Sequence, residues 1–92
     1  MPVKVHIPTP MRQHTDNLAV IEVSGANVKE VLDNVCGKYP GITNRLYDNG
    51  KARQFINFFL NDEDIRYLES FQSATKDGDE LSIIPAVAGG QS

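Results

Sequence analysis

An α+β domain, with one main helix laid across one face of a mixed sheet, is what this 92-residue sequence predicts. Three observations carry that expectation. Apolar and polar residues alternate in short runs at residues 3–7, 18–23, 54–60 and 80–84, the period-two signature of strands. Only one longer stretch, residues 28–39, places its apolar residues at helical spacing. A single helix covers only one face of a sheet, so the architecture has two layers.

Val3, Val5 and Ile7 alternate with Lys4 and His6 and give a half-buried strand closed by Pro8. Residues 9–17 are polar, contain Pro10 and read as a turn. Residues 18–23 form a second strand with Ala19, Ile21 and Val23 inward, completing an N-terminal hairpin. Ser24-Gly25-Ala26 is turn chemistry, Asn27 is a helix N-cap, and Glu30 stands three residues on in the capping-box position. Val28, Val31, Leu32 and Val35 make the buried stripe. The helix stops near Lys38 or Tyr39, because Pro40 disfavours helical geometry in the residue before it. Residues 42–47 add a short helical turn, and Asp48-Asn49-Gly50 reverses the chain. In residues 54–60, Ile56, Phe58 and Leu60 face one way and Phe55, Asn57 and Phe59 the other. Residues 61–64 turn into a short strand at 65–67, and residues 68–76 are irregular, with Leu68 and Phe71 available to pack. Asp77-Gly78-Asp79 leads into a last strand, residues 80–84, ended by Pro85. The order strand, strand, helix, strand, short strand, strand suggests a ubiquitin-like β-grasp domain over residues 1–85, followed by a flexible C-terminal tail over residues 86–92.

Hydrophobic residues make up 40% and charged residues 23%, which is ordinary for a globular chain. A domain of this size has a modest core and cannot also wall a large substrate cavity. No Ser-His-Asp, Walker or dinucleotide motif is present. A non-enzymatic role is therefore expected. No run of about eighteen apolar residues exists to span a membrane. The alternating N-terminus is not a signal peptide, and the single Cys36 cannot form an internal disulfide, so a cytoplasmic location is expected. The net charge of −3 divides into +2 over residues 1–60 and −5 over residues 61–92. That acidic excess disfavours nucleic acid. It is either a solvated face or a complement to a basic protein partner.

Candidate site residues are few. His6 lies on the polar face of the first strand and His14 in a loop, neither with a second ligand at metal-binding spacing, so no metal site is expected. Cys36, beside the helical apolar stripe, reads as a structural thiol rather than a sulfur relay. Asp62, Glu63 and Asp64 lack the glycine and bidentate glutamate of a calcium loop and read as a solvated turn. Phe55, Phe59 and Ile84 fall on the sheet face away from the helix. There they form a partner surface, unless residues 68–75 or a dimer contact cover them. Asp79 and Glu80, close to the tail, join that candidate surface.

The tail carries the most information. Ala86-Val87-Ala88-Gly89-Gly90-Gln91-Ser92 holds no charge, no aromatic and no long apolar side chain. Residues 85–90 can reach about 20 Å when extended. Consecutive glycines pass through a channel too narrow for side chains and present a backbone carbonyl at its end. An inert, frayed terminus is the plain alternative.

The run DGDELSIIPAVAGG, residues 77–90, resembles the end of the ThiS/MoaD sulfur carriers, in which a DGDE-type turn leads through the final strand into P-x-V-A-G-G. VHIPTPMRQHT, YPGITNRLYD and FINFFLNDEDIRYL resemble the longer carriers of cysteine biosynthesis, so the resemblance runs from Val3 to Gly90. It implies a carrier whose Gly90 carboxylate is joined to AMP by an E1-like enzyme using ATP. Sulfur then replaces the adenylate, and a sulfur-accepting synthase, pyridoxal-phosphate-dependent in some pathways, takes up the resulting thiocarboxylate. Gly89 and the slender lead Pro85, Ala86, Val87 and Ala88 support Gly90, and the carrier itself binds no cofactor. Most members stop at the second glycine. Here Gln91 and Ser92 follow, so the resemblance implies trimming after Gly90, in some systems by a JAMM-type zinc metalloprotease. A ubiquitin-like modifier conjugated through Gly90, a molybdopterin or thiamine carrier, and a passive binding module with an inert tail stay open as alternatives.

Overall fold

The computed structural model describes residues 2–48, 51–52 and 56–85. Its regular elements are β1 (Val3–His6), β2 (Val20–Val23), α1 (Val28–Lys38), α2 (Thr43–Leu46), β3 (Tyr47–Asp48), β4 (Lys51–Ala52), β5 (Ile56–Leu60), β6 (Glu63–Asp64) and β7 (Glu80–Pro85). Five of the strands form one sheet in the order β2-β1-β7-β5-β6. The first and last strands are parallel neighbours in it, Val5 beside Leu81. The other pairings are antiparallel. With α1 across one face, this is the ubiquitin-like β-grasp, and β7 is its central strand. The β3–β4 ribbon stands apart from the main sheet.

The alternation in each strand decides which side chains meet the helix. Val3, Val5, Ile21, Phe58, Leu60, Leu81 and Ile83 are buried against Val28, Val31, Leu32 and Val35 of α1. The helix begins where its cap demands. The Asn27 side-chain oxygen accepts from the Glu30 backbone N–H at 2.9 Å. The Glu30 carboxylate reaches back to the Ala26 N–H at 3.0 Å, one residue before the cap. At its far end the Tyr39 N–H closes the last turn on the Val35 carbonyl at 2.8 Å, and Pro40 starts a 3-10 turn that leads into α2.

Gly25 sets how closely β2 approaches α1. A β-carbon there would lie 2.6 Å from the Val31 backbone nitrogen and 2.7 Å from its Cγ2. Backbone cannot move aside as a side-chain tip can. Gly25→Ala is therefore expected to destabilise the fold by about 1–3 kcal/mol. A urea unfolding midpoint equal to that of the parent would show the approach is looser than this.

Three local expectations are corrected. Residues 9–17 are not a plain turn: Thr9–His14 form a 3-10 helix that buries Met11. Pro10 is compatible with such a first turn, where its missing N–H would have no partner anyway. Ala19 is exposed, because the chain enters β2 only at Val20. The short strand is β6 at Glu63–Asp64, and Ile65–Tyr67 is a 3-10 helix. Asn61 and Asp62 both take positive φ, 51° and 69°, as a tight type I′ hairpin needs, so Leu60 pairs directly with Glu63. Asp64 then caps the 3-10 turn by accepting from the Arg66 N–H.

Residues 68–76 fold onto the helix side of the sheet. Phe71 sets its ring edge against Phe58 at 5.6 Å. The Ser73 carbonyl accepts from the Val28 N–H at 3.0 Å, and the Thr75 hydroxyl donates to the Gly25 carbonyl at 2.7 Å. This segment thus closes the core around the start of α1, and among the described residues it does not cover the opposite sheet face, where Ile84 is exposed. Among the described residues, no helix is long and apolar enough to cross a membrane.

Candidate functional site at the end of β7

The DGDE run works as a clamp on the start of β7. Gly78 has φ +89°, which side-chain-bearing residues rarely adopt, and the Asp79 N–H closes the turn on the Lys76 carbonyl at 3.0 Å. The Asp79 carboxylate accepts from the Lys76 N–H at 3.0 Å and from the Asn61 amide at 3.1 Å. The Asp79 carbonyl accepts from the Lys4 N–H at 2.9 Å. Asp79 is 7% exposed. Its expected place on a partner surface is therefore corrected: both carboxylate oxygens are engaged inside the molecule. Glu80 is at the surface, and its carboxylate meets His6 Nε2 at 2.8 Å across β1 and β7.

Asn61 is the residue that pattern reading passed over. Its backbone N–H donates to the Glu80 carbonyl at 2.8 Å, and its side-chain oxygen accepts from the Glu80 N–H at 3.0 Å. It therefore ties the β5–β6 turn to the first residue of β7. The signal was present as an asparagine at the start of a tight turn, where its side chain competes for backbone partners.

From that clamp β7 runs between β1 and β5, with Leu81 and Ile83 inward. Its last register pair is Pro85 with Ile56. Pro85 is half-buried and ends the described part of the chain. The glycines and extension singled out in the sequence, Ala86, Val87, Ala88, Gly89, Gly90, Gln91 and Ser92, lie outside the described residues, as does Phe55. What the geometry supplies is the root: whatever follows Pro85 is attached to the most heavily paired strand of the sheet.

Around that root the open face carries Phe59, half-buried, and Ile84, 44% exposed. They come from neighbouring strands, Phe59 opposite Ser82 and Ile84 opposite Asn57. Asp64 stands opposite Phe59 on β6. Its carboxylate holds the Arg66 guanidinium, with Nη2 at 2.6 Å, and these side-chain and backbone hydrogen bonds from Arg66 keep the carboxyl below the usual carboxylate range. A carboxyl lowered in the folded state contributes stability above its unfolded value, and that contribution is lost as pH falls through the folded one. Arg66→Ala is expected to move the Asp64 titration upward, read by carboxyl-carbon NMR, while the bond from the residue-66 N–H keeps part of the depression. An unchanged titration would remove the guanidinium as its cause.

The remaining candidates are structural in this setting. His14 Nε2 accepts from Arg45 Nε at 3.2 Å, joining the first 3-10 helix to α2. Cys36 is half-buried against the core. Nearby Tyr47 has its phenol pushed up to about 12, by burial first and then by the Cys36 and Asp33 side chains. Among the described residues, no three His, Cys, Asp or Glu side chains come together as a metal site.

Residues 5–90 match the ThiS family. The chain belongs to that family. Its likeness to individual members extends over nearly the whole chain. It is 41% identical over 93 residues to the sulfur carrier protein CysO of Mycobacterium tuberculosis, covering 98% of this chain and 100% of that protein. A chain in the crystal structure of the Amycolatopsis orientalis BexX/CysO complex superposes with a TM-score of 0.87 at 45% identity, covering 96% of this chain and 99% of that one. The small archaeal modifier protein 1 of Methanosarcina acetivorans superposes with a TM-score of 0.87 at 30% identity, over 96% of this chain and 95% of that one. The ThiS match ends at residue 90, on the second glycine and short of Gln91.

Proposed function

We propose that this protein is a sulfur carrier that works as co-substrate of partner enzymes, with Gly90 as the working residue. The observation that carries the reading is the whole-chain likeness to CysO together with a ThiS match that stops at Gly90. Chemistry supports it. A carboxylate is a poor acyl donor. An E1-like enzyme with ATP would join the Gly90 carboxylate to AMP, releasing pyrophosphate. Sulfide would then displace AMP and leave a thiocarboxylate, whose charge sits on a polarizable sulfur that is strongly nucleophilic at neutral pH. A synthase acting on an activated serine would accept that sulfur, as cysteine formation requires. Gln91 places Gly90 in a peptide bond, so whatever follows Gly90 must first be hydrolysed away, a task suited to a JAMM-type zinc metalloprotease. The fold's part is mechanical: a rigid grip surface and a tether rooted in β7.

Intact mass tests the sequence of events. After a candidate JAMM-type protease, the chain is expected to lose everything beyond Gly90. After an E1-like enzyme, ATP and sulfide, it is expected to gain the difference between one sulfur and one oxygen. If the first loss never occurs with any such protease, the trimming step fails. A second reading has its own support in the modifier protein from Methanosarcina acetivorans. In that reading the Gly90 carboxyl forms isopeptide bonds with lysines, and the product is a heavier protein rather than a thiocarboxylate.

A further inference from the structure

Two of the three tyrosines, Tyr39 and Tyr47, pack against the core, whereas Tyr67 is 81% exposed and Leu68 beside it is 38% exposed. Ile65 is buried and anchors this knuckle from beneath. Hydrogen bonds hold its backbone. The Arg66 N–H donates to the Asp64 carboxylate and the Leu68 N–H to the Ile65 carbonyl, both at 2.9 Å. The Glu69 N–H donates to the Ser73 hydroxyl at 3.0 Å, and the Gln72 N–H returns to the Glu69 carbonyl at 3.0 Å. On either side the chain bends through positive φ, 69° at Asp62 and 56° at Ser70. An aromatic ring held out on a fixed backbone loses little freedom when another protein buries it. The knuckle also lies toward the tail. β6 runs antiparallel to β5, so the chain leaving Asp64 heads for the end of β5 that pairs with Pro85.

Charge narrows the occupant. Residues 61–73 hold Asp62, Glu63, Asp64 and Glu69 against a single base, Arg66. That base is already taken: its Nη2 meets the buried Asp64 carboxylate at 2.6 Å, and its Nε lies 3.1 Å from both oxygens. Lys29, next to the Val28 whose N–H bonds the Ser73 carbonyl, is held by Asp33 at 2.8 Å. Asp62, Glu63 and Glu69 are exposed and have no cationic partner among the described residues. The ring is thus flanked by uncompensated carboxylates. A second copy of the chain would set like charge on like charge. We infer that Tyr67 and Leu68 dock into an apolar pocket, rimmed by arginine or lysine, on the enzyme that activates Gly90. The inference rests on the carrier reading. That enzyme must gather the polyanion ATP and the tail carboxylate in one place, so it needs cationic groups where the tail enters. The ring supplies the hold, and the carboxylates steer the approach.

The test uses the chain trimmed to Gly90, with an E1-like enzyme and ATP, and follows pyrophosphate release. Tyr67→Ala is expected to raise KM about tenfold with kcat unchanged, because the reacting carboxylate is untouched. Tyr67→Phe keeps the ring and is expected to stay within about twofold of the parent. The parent KM is expected to rise with added salt. Glu63→Lys combined with Glu69→Lys is expected to raise KM at low salt and to remove most of that salt response. All these side chains are exposed, so melting temperatures equal to the parent's are expected. Three results would each overturn the inference: a Tyr67→Ala KM equal to the parent's, a loss carried by kcat instead, or an unaltered salt response in the charge-reversed chain. A Tyr67→Ala effect confined to the JAMM-type protease or the synthase would give the knuckle to that enzyme and overturn the assignment made here. A parent chain that releases no pyrophosphate would overturn the carrier reading, and this docking with it.

Discussion

With an E1-like enzyme, ATP and sulfide but no protease, a chain ending at Gly90 is expected to convert fully to the thiocarboxylate, while the chain carrying Gln91 and Ser92 is expected to show no conversion at all. The contrast is all-or-none for a chemical reason. Adenylation needs a carboxylate oxygen to attack the α-phosphate of ATP. In the longer chain the Gly90 carbonyl is an amide, with no anionic oxygen to offer. A side chain near the reacting end is expected to act more gradually. Gly89→Val in the chain ending at Gly90 would place a branched group in a passage sized for backbone, and a displacement of about 1 Å there costs roughly 100-fold in rate. Circular dichroism on both chains separates such an effect from loss of the fold. Conversion of the longer chain without any cleavage would sink the reading of Gly90 as the charged residue.

The second large effect is on stability. Leu81 is fully buried on the central strand, between Val5 of β1 and Leu60 of β5. Leu81→Ala is expected to cost about 2–5 kcal/mol through lost burial and the cavity left behind. For a domain of this size each kcal/mol lowers the melting temperature by about 4–8 °C, and total stability is only about 5–15 kcal/mol. Ile84 lies three residues on along the same strand and points to the open face. Ile84→Ala is expected to change stability by no more than about 0.5 kcal/mol. Differential scanning calorimetry on the pair tests the assignment of faces. If both variants melt alike, the sheet is covered on both sides.

Much of the fold was legible because its determinants are local. The period-two run in β1 marked its apolar face, the runs in β5 and β7 carried apolar residues on both faces and left the inward set to the structure, and Asn27 with Glu30 marked the start of α1 to the residue. The illegible parts share a cause. Met11 and Thr15 are buried, yet each sits in a polar stretch with no period, and the Pro40–Ile42 turn that packs beside the first 3-10 helix arrives from elsewhere in the chain. The β5–β6 turn was misplaced because Asn61-Asp62 adopts the positive φ values usually announced by a glycine.

The candidate site divides in the same way. The resemblance to the sulfur carriers was readable from residues 77–90, and the ThiS match over residues 5–90 bears out that family. The roles of the residues leading into the tail were not readable there. Asp79 and Glu80 are adjacent carboxylates of the same charge, yet one is buried under Asn61 and Lys76 and the other meets His6 at the surface. Sequence by itself determined the element types, the apolar face of β1 and the diglycine, all of which depend on neighbours a few residues away. Only the tertiary structure decided that β7 lies between the first strand and β5 and that Asp79 turns inward. Those outcomes depend on strands far apart in the chain choosing each other, which local pattern does not encode.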